Sequence, residues 1–285
     1  MDRIVDTHCH FWWRETNSWL DSDWDVLYQD YTPVEHQAAS RPVGVTRCVI
    51  VEAGDTDVDN QTIIDFAAEF DFVGGLILRA DLDDPGLGRK LDEWQKLPKF
   101  RGMRMNFEAH PDPGIATRPA VIEGLRELAR RGLIHDFLPL VRHLDGIATA
   151  IEQVPDLKCI IEHYGKPDFD GTLEAAWEQA MRRIARDTGA FCKLSLSPQV
   201  TRIQEYLDNP KQGWPIEAMR QYTALYLEEL GPDRLIWGSD WPVALLTTDY
   251  AGMLATHREL LGPLDPEVEV KLFRTNAEAF YNVTA

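Results

Sequence analysis

Short apolar, β-branched runs recur along the chain, with amphipathic stretches between them. Eight such runs stand out: Ile4–Thr7, Arg47–Glu52, Val73–Arg79, Gly102–Asn106, Phe137–Leu140, Cys159–His163, Phe191–Leu196 and Leu235–Gly238. Their near-continuous apolar character suits parallel strands covered on both faces. Between them, apolar residues return at the helical period. Leu87, Leu91, Trp94 and Leu97 form one stripe, Ile147, Ile151 and Val154 a second, and Leu173, Ala176, Trp177, Ala180, Met181 and Ile184 a third. Further helices are expected near Asn60–Phe70, Ala120–Arg131, Ile216–Leu230 and Tyr250–Leu261, with a final one near Glu267–Tyr281. Strands alternating with helices make βαβ units, and eight units predict an α/β fold closed into a (β/α)8 TIM barrel. No linker or composition shift divides the chain, so residues 1–285 read as a single domain. The longest irregular stretch, Ser197–Trp214, follows the seventh strand and is expected to lid a pocket.

Composition narrows the partners. The formal charge is −18, which argues against nucleic acid or an anionic membrane, since both need a basic surface. No run approaches the ~18 apolar residues of a membrane span, and the start, MDRIVDTHCH, lacks the features of a signal peptide. A cytoplasmic protein acting on a small molecule, with room for a homo-oligomer, is the expectation. Cys9, Cys48, Cys159 and Cys192 are far apart, form no CxxC and read as buried free thiols.

In a barrel of this kind chemistry gathers at the carboxyl ends of the strands. His8 and His10 end the first strand, and a period of two puts them on one face, with Cys9 on the other. Two imidazoles so placed can ligate one divalent metal or polarise a carbonyl. His163 ends the sixth strand, just before Gly165 and Pro167. Asp240 follows the eighth strand and Gly238, where it can act as a base or cap a helix. On the fourth strand Arg101 and Arg104 differ by an odd number and cannot face the same way. Arg104 shares a face with Asn106 and is the favoured substrate anchor, with Arg101 and Arg79 also candidates. Trp12, Trp13, Trp19 and Trp241 cluster near strand ends one and eight, where they can wall a pocket or simply pack.

Several stretches together resemble the amidohydrolase-related family of lactone hydrolases. They are Asp6–Trp12, Phe100–Arg104, Glu162–Pro167, Cys192–Ser195, Gly238–Val243 and Asn276-Ala277 with Phe280-Tyr281, in the family's order across nearly the whole chain. The family is similar to sugar-acid lactonases and to 2-pyrone-4,6-dicarboxylate lactonase. The resemblance implies a slightly distorted amidohydrolase barrel and a catalytic set of His8, His10, His163 and Asp240; from their places along the chain, substrate contacts are expected from Arg104, Arg101, Arg79, Asn106, His143, Trp12 and Trp241. It implies one divalent ion, zinc the first choice, held by His8, His10 and Asp240, or action without a metal. A two-metal site is not expected, because the fourth strand offers arginines and the fifth has His135 at its wrong end. Leu196 stands where the family often has glycine after Lys-Leu-Ser. The expected reaction is lactone hydrolysis with Asp240 as general base. The alternatives are a metal-dependent decarboxylase of an unsaturated or aromatic acid, a sugar-acid lactone isomerase, and a non-catalytic binder.

Overall fold

The structure, a computed structural model, describes residues 3–199, 202–209 and 211–283. Its strands are β1 (Ile4–Cys9), β2 (Val45–Val51), β3 (Val73–Arg79), β4 (Phe100–Asn106), β5 (Ile134–Leu138), β6 (Lys158–Ile161), β7 (Phe191–Leu194) and β8 (Leu235–Trp237). Neighbours pair in parallel in the order β1 to β8. A bridge between Cys9 and Trp241 closes the sheet into a barrel. The helices are α1 (Pro33–Ser40), α2 (Asp57–Glu69), α3 (Leu87–Trp94), α4 (Pro119–Arg131), α5 (Leu144–Glu152), α6 (Ala175–Asp187), α7 (Ile203–Asp208), α8 (Ile216–Glu229), α9 (Tyr250–Leu261), α10 (Pro266–Val270) and α11 (Asn276–Tyr281). Among the described residues no helix is long and apolar enough to cross a membrane.

The apolar stripes explain the outer layer. Leu87 and Leu91 of α3 are buried, as are Trp177, Ala180, Met181 and Ile184 of α6. Capping boxes start α1, with Thr32 and Glu35, and α2, with Thr56 and Asp59. The final helix is interrupted: a π-helical turn over Lys271–Thr275 separates α10 from α11. The strand expected over Phe137–Leu140 lies earlier, because Pro139 has no N–H to continue the ladder. The sixth and seventh strands likewise stop short, at Ile161 and Leu194.

The barrel interior changes character along its axis. One layer is apolar: Val5, Val49, Val51, Ile77, Ile134, Ile160 and Ile236, with Ala277, Phe280, Tyr281 and Val283 packed against them. Toward the strand ends the interior becomes polar. The β1–β2 register matters there. From Asp6 to Cys9 β1 advances three residues while β2 advances two, from Cys48 to Ile50. This bulge breaks the alternation. Asp6 turns to the helix layer, where it meets His36 of α1 and Tyr250 of α9. Cys9 packs with the outer core beside Val49 O. His8 and His10 face the interior.

Close strand packing depends on Gly102, where a Cβ would press into the carbonyl of Ile134 on β5. Gly102→Ala is expected to cost about 1–3 kcal/mol or more through overpacking. Gly189→Ala, with nothing within 4 Å of the added carbon, should stay within about 0.5 kcal/mol of wild type. Urea midpoints for the two variants check the contrast.

Candidate active site

Backbone closure of the barrel places the reactive groups. Asp240 N donates to His8 O at 2.7 Å, and His10 N to Trp241 O at 2.8 Å. Gly238 permits this approach, since a Cβ there would lie 2.6 Å from His8 Cβ. Asp240 itself adopts a left-handed backbone (φ 59°), as does His163 (φ 51°); neither follows a continuing strand or helix. The Asp6 carboxylate fastens the junction from outside. It accepts from Ser239 N (2.9 Å), Ser239 Oγ (2.6 Å), Tyr250 Oη (2.7 Å) and His36 Nε2 (3.0 Å). Burial works against its charge, but His36 and Ser239 hold its carboxyl below the usual range.

Three ligand-type atoms converge inside. Asp240 Oδ1 lies 3.4 Å from His8 Nε2 and 3.2 Å from His10 Nε2. His10 Nδ1 is 2.7 Å from Val51 O. A carbonyl only accepts, so Nδ1 carries a proton and Nε2 is turned toward the carboxylate. A carboxylate oxygen shared between two imidazole nitrogens at that distance is satisfied by a proton on a ring nitrogen or by a cation between them. Ligands about 2.0–2.2 Å from a tetrahedral ion stand about 3.3–3.6 Å apart, close to the spacing found. His8 Nε2 and Asp240 Oδ2 are buried without a hydrogen-bond partner. His8, His10 and Asp240 therefore fit one divalent cation. His163 completes the group, with Nε2 3.8 Å from Asp240 Oδ1 and Nδ1 2.9 Å from Ser195 Oγ. Burial pushes His8 down to about 4, and burial with the neighbouring His8 pushes His163 well below the ordinary imidazole range. When Ser195 donates to Nδ1, the proton of neutral His163 stands on Nε2, toward the cluster.

Beneath the cluster lies a layer of buried charge. Glu162 sits 3.2 Å from His8 Nδ1 through Oε1 and 3.2 Å from Arg104 Nη1 through Oε2. Lys193 Nζ meets Asp136 at 2.7 Å, His8 Nδ1 at 3.1 Å and Glu162 at 3.6 Å. Burial opposes the Glu162 charge, yet His8, Arg104 and Lys193 hold its carboxyl well below the carboxylate range. Burial raises Asp136 to about 6 against the pull of Lys193, and Tyr281 donates to it at 3.1 Å. Sequence reasoning gave Glu162 and Lys193 no role. For Lys193 the available signal was a charge inside a strand, between Cys192 and Leu194; Glu162 was marked only by its place at a strand end beside His163.

The cavity above this cluster is lined by His10, Trp19, Arg104, Asn106, Glu108, His163, Lys166, Ser197, Pro198 and Asp240, among others. It measures about 40 Å³, enough for one or a few waters. Arg104 and Asn106 thus share it with the His/Asp cluster; the other proposed substrate contacts lie elsewhere. Arg101 donates to Pro98 O and Gly74 O at the amino ends of the strands. Arg79 turns to the rim, drawn by Asp55 and Asp81. Both ring nitrogens of His143 are taken, by Leu140 N and His110 O. Trp12 packs behind His10, its Nε1 donating to Gln29 O. Trp241 packs among Phe11, Tyr31 and His36. Trp19 reaches the cavity, whereas Trp13 is exposed. Of the expected lid, Ser197, Pro198 and Ile203 line the cavity, and residues 200, 201 and 210 lie outside the described residues.

Comparison with known proteins places this geometry in context. A family model described as amidohydrolase matches residues 5–283. An L-fucono-1,5-lactonase of Burkholderia ambifaria is 27% identical, covering 98% of this chain and 95% of that protein. An L-fucono-1,5-lactonase of Burkholderia multivorans is 26% identical, covering 86% and 84%. The crystal structure of an amidohydrolase from Burkholderia multivorans with bound zinc is similar at a TM-score of 0.86 and 23% identity, covering 99% of both chains.

Glu162 is the hinge of the buried charges. Glu162→Gln leaves Arg104 without its carboxylate and is expected to cost about 3–5 kcal/mol in denaturant unfolding. A loss below about 0.5 kcal/mol would show that the layer carries no electrostatic weight.

Proposed function

The chain belongs to the amidohydrolase family, and we propose that it is a hydrolase that opens a lactone ring, with Asp240 as general base. The two L-fucono-1,5-lactonases that align over most of the chain support lactone hydrolysis. The observation that carries the role of Asp240 is the state of its carboxylate. Oδ1 is shared with His8 and His10, while Oδ2 is buried with no partner. That leaves one oxygen for a single divalent ion and one to take a proton from water.

His8, His10 and Asp240 would hold the ion, with zinc, the metal bound in the Burkholderia multivorans structure, as first choice. When bound, it polarises the lactone carbonyl and makes the attacking water more acidic. The remaining work falls to the chain. Asp240 Oδ2 takes a proton from water as the water oxygen bonds to the carbonyl carbon. His163, with its Nε2 toward the cluster, donates to the developing oxyanion. The ring C–O bond then breaks, and the proton on Asp240 passes to the departing ring oxygen, which restores the carboxylate. Arg104 and Asn106, on the cavity wall, orient the ring through its oxygens.

Asp240→Asn is expected to keep the fold and bind product while turnover falls about 10²–10⁴-fold; unchanged turnover defeats the assignment. Exhaustive chelation should abolish turnover and added zinc restore it. Full activity after metal removal would assign carbonyl polarisation to the imidazoles alone.

A further inference from the structure

Glu108, just past β4, and Lys166, three residues past His163, line the same cavity as the His/Asp cluster. Both are buried, at 5% and 4% exposure. Lys166 Nζ lies 2.5 Å from Glu108 Oε2 and donates to Pro198 O at 3.2 Å. The other permanent cation on the wall, Arg104, faces Glu162 at 3.2 Å. Each permanent cation of the described cavity lining is thus matched to its own carboxylate. Asp240 adds a further carboxylate to the same lining.

We propose that the Glu108–Lys166 ion pair is a specificity element that admits uncharged, polyhydroxylated lactone rings and rejects rings bearing a carboxylate. This rests on the lactonase reading and names its substrate class. A paired carboxylate and ammonium offer an acceptor and a donor side by side, which suits neighbouring hydroxyl groups. Asn106 and Ser197 add further polar contacts on the same lining. A ring carboxylate placed there would meet Glu108 with no unmatched cation to receive it. Such juxtaposition is how a site discriminates against a near-isostere.

The test compares an aldonolactone with the aldarolactone of the same configuration, identical but for a terminal carboxylate. Wild type should favour the neutral ring. Glu108→Gln keeps the shape, uncovers the Lys166 charge, and should raise the carboxylated-to-neutral ratio of kcat/KM about 10-fold or more, mainly through KM. General structural damage would lower both substrates together. Lys166→Gln should shift the ratio the other way and serves if Glu108→Gln does not fold. A wild-type preference for the aldarolactone, or a ratio unmoved by either variant, overturns the proposal. If wild type hydrolyses neither lactone, the lactonase reading fails. Calorimetric binding of the same two rings then still decides the role of the pair: tighter binding of the neutral ring supports it, and equal or reversed affinities end it.

Discussion

Two backbone hydrogen bonds, Asp240 N to His8 O and His10 N to Trp241 O, bring the imidazoles of the first strand against the carboxylate that follows the last. They join the last strand to the first. Without them the imidazoles and the carboxylate would belong to opposite edges of an open sheet. The bulge in β1 turns His8 inward, Gly238 lets the chains touch, and Asp6 with Ser239 and Tyr250 fixes the junction from the helix side. Geometry at the cluster is therefore a property of barrel closure rather than of any one loop.

The polar layer below follows from the same closure. His8, Glu162, Arg104, Lys193 and Asp136 are removed from water almost completely, a state that is costly unless each charge finds partners. They find them mainly in one another, on strands or strand ends from five positions around the barrel, with Tyr281 joining at Asp136. Such a network tolerates little. It holds His8 and Glu162 in fixed orientation, which is what a metal-ligating imidazole requires of its surroundings.

Much of this was legible in the chain. Apolar runs bounded by helical stripes located all eight strands, because a parallel barrel buries both faces of each. His8, His10, His163 and Asp240 were visible as polar residues at strand ends, and the structure brings them together. Other features were hidden for physical reasons. A period of two cannot show a bulge, so nothing in the sequence pattern sends Asp6 to the helix layer while His8 and His10 face inward. Pro139 ended β5 earlier than its apolar run implied. Arg101 and Arg79 are strand-end cations in sequence, but side-chain direction and acidic neighbours send them away from the cavity. His143 is bound by its own turn. Glu108 and Lys166 meet across 58 residues, a pairing that no local pattern encodes.

The segment from Ala277 to Val283 packs into the amino-terminal end of the barrel, and the Tyr281 hydroxyl touches Asp136. Asp136 holds Lys193, which in turn holds His8 of the first strand. The opening strand precedes this plug by more than 260 residues. Closing so long a span carries a chain-entropy cost that local contacts do not offset. Tyr281 at one end of the barrel is thereby linked through three contacts to an imidazole toward the other, a mechanical tie from a structural plug to the reactive centre.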